Sequence, residues 1–256
     1  MCWLSGPGAI APWRLLKVAA GNISVLTAPL LDLIYPSACT GCGGEVPDSS
    51  TLLCTACLEA IPWLRDEGCR RCWSELDFDG RCKLCEGLDS AVVLVRSAAW
   101  FSGCVPELIH ALKYARRREI ASLLAELANA GGSLDRLPER PDLIVPVPLH
   151  WRRRIRRGFN QSQLIAGELS ALCGIPLAGR KVVRVRSTAT QTRLSPEQRR
   201  RNVAGAFVCR RRSELDGASV LVVDDVMTTG ATLGEVARSL AEAGAKRVFA
   251  WTFARA

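Results

Sequence analysis

The chain has 256 residues, 48% of them hydrophobic, with 34 Lys+Arg against 25 Asp+Glu for a formal charge of +9. That length and apolar content exclude collagen-like, low-complexity and wholly disordered chains, and suit one large domain or one domain with a smaller module. The excess charge is localised, since Pro146 to Arg212 holds 16 Lys+Arg and only two acids, Glu168 and Glu197; such a segment suits phosphate, pyrophosphate or nucleic acid, or else a solvated charged face.

Residues 1–28 are rich in Gly, Pro and Ala without periodicity and are expected to form a poorly ordered extension. They lack the basic start and cleavage site of a signal peptide. The apolar run is broken by Lys17, Asn22 and Asp32, short of the roughly 18 uninterrupted residues of a membrane span. A cytoplasmic, reducing location is the expectation, which disfavours disulfides among the twelve cysteines. LTAPLLDLIYP, ending at Pro36, reads as a short amphipathic helix leading into a cysteine-rich module over 29–88.

Eight cysteines of that module form C-x-x-C dyads: Cys39/Cys42, Cys54/Cys57, Cys69/Cys72 and Cys82/Cys85. Two dyads complete a tetrahedral all-thiolate zinc site with no position left for water or substrate, so two structural zinc ions are expected. Sequential pairing is the simplest arrangement, and spacing alone also admits crossed pairing. Cys2, Cys104, Cys173 and Cys209 have no partner at ligand spacing and read as small apolar side chains or, for Cys2, part of the terminus.

A second domain is expected over 89–256. AVVLVRSAAWF reads as a strand, the stretch from Val105 to Tyr114 and EIASLLAELANAGG as helices, and DLIVPVP as a strand followed by a basic turn. NQSQLIAGELSALCG is the next helix, KVVRVRS and AFVCR are strands, and SVLVVDDV is a fully buried one. Between the last two, Thr188 to Phe207 reads as a long, polar, structureless lid. TLGEVARSLAEAGA and KRVFAWTFA close the chain as helix and strand. The alternation predicts an α/β fold, a parallel sheet flanked by helices, with its ligand at the carboxyl ends of the strands.

VLVVDDVMTTGATLGEVA is the most informative segment. A buried strand delivers Asp224 and Asp225 to its carboxyl end. The turn from Met227 to Thr232 then opens a helix whose free N–H groups, with the hydroxyls of Thr228, Thr229 and Thr232, suit a phosphate. Gly230 and Ala231 let the backbone approach it. Adjacent carboxylates would repel that anion unless they contact sugar hydroxyls or Mg²⁺, and a ribose 5-phosphate meets both needs. No Walker or Rossmann fingerprint is present.

VLVVDDVMTTGAT resembles the phosphoribosyl-pyrophosphate (PRPP) signature of type I phosphoribosyltransferases. Together with LLDLIYP, the four dyads, ELIHALKY, VPVPLHWRRRIRRGFNQSQLIA and TATQTRLSPEQRRRNVAGAF, it occurs in the order found in the competence-associated ComF family. The resemblance implies a type I phosphoribosyltransferase-like fold behind a double zinc ribbon, binding PRPP with Mg²⁺. Asp224 and Asp225 would take the ribose hydroxyls, with Arg157 first and Arg152 and Arg153 next for pyrophosphate. Lys113 and Tyr114 would face substrate, while Gln191, Thr192, Arg199, Arg200 and Asn202 would belong to the closing lid. Thr228 stands where purine-salvage members often carry an acid, which disfavours a 6-oxopurine acceptor. His110 and His150, beside no candidate nucleophile, are expected to be structural. The rival is a nucleic-acid adaptor in DNA uptake or repair that uses the arginines and Trp73, Trp151 and Phe159, with single-stranded DNA or competence and repair proteins as partners.

Overall fold

The computed structural model describes residues 38–47, 50–186, 188, 195–210 and 215–256. The expected N-terminal extension, the helix before Pro36, Gln191 and Thr192 fall outside that set.

Four parallel strands, β1 (Val92–Trp100), β2 (Leu143–Pro146), β5 (Ser219–Met227) and β6 (Arg247–Arg255), lie side by side in the order β1-β6-β5-β2. β5 is apolar on both faces because helices cover both. Its Leu221 and Val223 join one core with α3 (Val105–Tyr114), α4 (Ile120–Ala130) and α6 (Gln161–Cys173). Val220 and Val222 join the other, with α8 (Ala231–Ala241). A separate antiparallel pair is formed by β3 (Val182–Arg184) and β4 (Phe207–Cys209).

Two expectations are corrected. The basic turn after β2 is a seven-residue helix, α5 (Trp151–Arg157), capped at its start by His150 and closed by left-handed Gly158. The structureless lid contains α7 (Pro196–Val203), because Ser195 and Gln198 form a reciprocal capping box around the helix start and Pro196 occupies its first position. Val203 then anchors that helix in the core beside α8.

Each ribbon holds one short helix, α1 (Thr55–Glu59) and α2 (Lys83–Glu86). Ribbon one, through Cys39, Leu52, Leu53, Cys57 and Ile61, is continuous with the core of α3 and α4. Ribbon two joins the other core through Cys72, Cys82 and Leu88 and is also tied down by arginines donating to backbone carbonyls. Arg71 reaches the oxygens of Asp89 and Val92 at 2.6 Å. Arg96 donates to Arg71 O at 3.1 Å and lies over Trp73, while Arg255 donates to Cys72 O at 2.5 Å. The linker between the ribbons runs along the free edge of β1, where Leu64 N donates to Ala98 O and Trp100 N to Pro62 O.

Candidate active site and metal centres

The thiols fall into two sets, Cys39/Cys42/Cys54/Cys57 and Cys69/Cys72/Cys82/Cys85, each with its sulfurs within 4.8 Å of one another. Sequential pairing of the dyads is therefore the one that the fold builds. Zinc–thiolate bonds of about 2.3 Å put tetrahedral sulfurs about 3.8 Å apart, and Cys42–Cys54 at 3.8 Å, Cys69–Cys85 at 3.7 Å and Cys72–Cys82 at 3.4 Å fit that spacing. Backbone N–H groups of Gly41 and Cys54 both donate to Cys39 Sγ at 3.3 Å. Burial disfavours the Cys39 thiolate, but these donors override it and hold its pKa down to about 6.

At the carboxyl end of β5 the two acids take different surroundings. Asp225 is buried, its Oδ2 paired with Lys113 Nζ from the end of α3 and its Oδ1 accepting from Gln161 Nε2 at 3.3 Å. Burial favours the neutral acid, yet the Lys113 ammonium outweighs it and keeps Asp225 below the usual carboxylate range. Asp224 Oδ1 accepts from Ser162 Oγ at 2.6 Å and from Asp225 N at 2.9 Å. Burial first, and then the neighbouring Asp225 charge, push Asp224 up to about 7.

Arg157 donates to Gln161 Oε1 at 2.5 Å and lies 5.2 Å over the Tyr114 ring. A continuous chain thus runs from Tyr114 through Arg157 and Gln161 to Asp225 and Lys113. It brings together four of the residues singled out in the sequence, Lys113, Tyr114, Arg157 and Asp225. Thr228, Thr229, Gly230, Ala231 and Thr232 line a small cavity with Asp224. Gly230 has φ +73°, and a Cβ there would lie 2.7 Å from Leu88 of ribbon two. Gly230 supplies no side-chain cap to α8, whose first N–H makes only a long 3.5 Å bond to Thr229 Oγ1, and the positive end of the helix dipole lies at that cavity.

The other arginines divide. Arg153 donates to Thr188 O at 3.1 Å, and Arg184 of β3 converges on the same residue through its Oγ1. Burial lowers Arg184 to about 10, and it is near enough to feel the Asp224 charge. Arg152 is exposed over Trp151. Arg199 is half-buried on α7, and Arg200 reaches Gly87 of ribbon two. Trp73 and Phe159, expected as exposed aromatics, are buried; only Trp151 of that trio is exposed, at 57%. His150 caps α5 through Nδ1, a structural role.

A family model for the phosphoribosyl transferase domain matches residues 118–256, and one for the double zinc ribbon domain matches 30–86. DNA utilization protein YhgH of Salmonella typhimurium is 34% identical over 260 residues, covering 100% of this chain and 96% of that protein. The chain belongs to the ComF family. Its relatives include Competence protein F of Haemophilus influenzae, 31% identical over 85% of this chain and 96% of that one. Competence protein ComFC of Bacillus subtilis is 24% identical over 88% and 93%. This ComF protein therefore carries a phosphoribosyltransferase-type domain and a structural zinc module. Among the described residues no helix is long and apolar enough to cross a membrane.

Gln161, Ser162 and Arg184 were not singled out by the sequence reading. The signal for the first two was position: they open a helix that the GFN turn aims at the carboxyl ends of β2 and β5. Arg184 carried no such signal, because a strand arginine faces either way with a one-residue change of register.

Proposed function

We propose that the protein binds PRPP with Mg²⁺ and transfers its phosphoribosyl group to an acceptor nucleophile. The observation that carries this reading is the pairing of an uncapped helix start at Gly230 with two carboxylates of opposite titration behaviour. The turn from Thr228 to Thr232 takes the 5-phosphate. Asp224 and Asp225 accept from the ribose hydroxyls, while Arg157 and the nearby Arg153 stabilise the leaving pyrophosphate. The acceptor lone pair forms a bond to the anomeric carbon as the bond to pyrophosphate breaks, its electron pair leaving on pyrophosphate.

Both oxygens of Asp225 are engaged, whereas the bonds to Ser162 and the backbone occupy only Oδ1 of Asp224. Asp224 Oδ2 thus fits Mg²⁺ or a water bound to it, and the ion when present neutralises pyrophosphate charge. Titration calorimetry with PRPP and Mg²⁺ tests the site: Asp224→Ala with Asp225→Ala should abolish binding, and unchanged affinity would overturn the assignment.

A second reading, a nucleic-acid adaptor for DNA uptake or repair, is favoured by α5. Trp151 and Ile155 lie exposed one turn apart among Arg152, Arg154 and Arg156. Salt-dependent binding of single-stranded DNA that PRPP does not displace supports it, and displacement by PRPP places both anions on the same arginines.

A further inference from the structure

The two acids of the site differ in access. Asp224 lines the cavity at the phosphate turn, whereas Asp225 is not among its lining residues and is only 3% exposed. Two side chains cover Asp225: Lys113 Nζ pairs with its Oδ2, and Gln161 Nε2 donates to its Oδ1. A ribose hydroxyl can therefore take an Asp225 oxygen only where one of them gives way. Gln161 is buried, and Arg157 holds the other end of its amide at 2.5 Å. Lys113 keeps 22% of its side chain exposed, and among the described residues Asp225 is its one ion-pair partner.

The lysine is also built to move. Val105, Leu108, Ile109 and Leu112 are buried, so α3 fixes the backbone of Lys113 while a flexible four-carbon stem carries the ammonium. The next residue is Tyr114, and Arg157 lies over its ring. The arginine assigned to pyrophosphate thus stands beside the lysine that covers the ribose acid, and an anion drawn to one is drawn toward the other.

We propose that Lys113 makes the site select PRPP over ribose 5-phosphate, by covering Asp225 until pyrophosphate draws its ammonium away. The proposal rests on the phosphoribosyl-transfer reading above. The two sugars share the 5-phosphate and the ribose hydroxyls and differ in the pyrophosphate. PRPP offers the ammonium a new anionic partner, so uncovering Asp225 exchanges one ion pair for another. Ribose 5-phosphate offers none at that end, so the same step breaks a charge-assisted bond without replacing it. After transfer the exchange reverses. Pyrophosphate departs, the ammonium returns to Asp225, and the phosphoribosyl product loses a hydroxyl contact, which favours its release.

The test measures binding of PRPP and of ribose 5-phosphate, each with Mg²⁺, to the zinc-loaded full chain by titration calorimetry, with thermal melting as the check on the fold. The wild type should bind PRPP far more tightly than ribose 5-phosphate. In Lys113→Met, ribose 5-phosphate should tighten and PRPP should not, so that the ratio of their affinities falls about tenfold or more, the worth of one charge-assisted bond. Lys113→Gln, which can still donate to Asp225, guards against loss of the fold and should lower the ratio by a smaller factor. The sign separates this role from a structural one, because simply removing a nearby positive charge weakens both phosphorylated sugars. Equal weakening of the two ligands in folded variants, or a wild type that binds ribose 5-phosphate as well as PRPP, overturns the proposal and leaves the phosphoribosyl site standing. A wild type that binds neither overturns the transfer reading, and this proposal with it.

Discussion

The two ribbons share a motif, four thiols from two C-x-x-C knuckles, and each buries apolar residues in a core, yet ribbon two adds a set of arginine bonds beyond that packing. Ribbon one merges its Leu52, Leu53 and Ile61 into the core of α3 and α4, so its attachment is a hydrophobic one. Ribbon two buries Cys72, Cys82 and Leu88 in the core beside α8 and adds Arg71, Arg96 and Arg255, whose guanidiniums tie backbone carbonyls of ribbon and domain together. Each ribbon also abuts a different wall of the site. Arg117, just beyond Lys113 and Tyr114, donates to Thr40 of ribbon one at 2.8 Å, and Leu88 of ribbon two abuts Gly230. A metal module can therefore set two walls of one pocket at once.

Zinc removal should erase the contrast and have the largest effect. Chelation is expected to release two zinc ions per chain and to lower the unfolding midpoint sharply, read by metal titration alongside thermal melting. Leu53→Ala comes next, at about 2–5 kcal/mol in denaturant unfolding, the usual cost of a buried leucine truncation. Arg255→Met should cost about 1–3 kcal/mol for the unsatisfied carbonyls of Cys72 and Trp73. It should also make ribbon two, and not ribbon one, the first site of limited proteolysis. Equal proteolysis of both ribbons in that variant would break the comparison.

Gly230→Ala sharpens it from the other side. The added Cβ meets Leu88 in a left-handed backbone, so PRPP affinity should fall at least tenfold, and Leu88→Ala in the same chain should restore part of it by relieving the contact. The smallest effect concerns pH. Asp224 has a folded-state pKa near 7, above its unfolded value, so the native state retains a proton that the unfolded chain loses. Through this group stability falls as the pH rises from about 4 to about 7, the reverse of a salt-bridged carboxylate. PRPP·Mg²⁺ affinity should rise between pH 6 and 8 as Asp224 ionises, and Asp224→Asn should remove that component in calorimetric titrations.

Much of this was readable in the chain itself. Apart from α5 and α7, the strands and helices from Val92 onward stand where hydrophobic periodicity places them, since an apolar run such as VLVV is stable only when buried on both faces. The acids and phosphate turn follow from one strand–turn–helix segment. What was not readable depends on side-chain partners distant in sequence. The bond from Ser162 to Asp224 spans 62 residues and the one from Arg255 to Cys72 spans 183. The WRRRIRR segment was read as a turn because its charge obscured a helix that His150 starts and Gly158 stops. Trp73 looked like a surface aromatic, yet Arg96 and Arg136 enclose it.

The linker that runs from ribbon one to ribbon two pairs with the outer edge of β1 through Leu64 and Trp100. Without it, that edge would offer unpaired N–H and C=O groups to the edge of another molecule. Both ends of the linker are fixed by metal-bound knuckles, so loss of either zinc loosens the strip that seals the sheet. Demetallated chains should thus self-associate through β1, which makes the zinc supply a control on solubility as much as on shape.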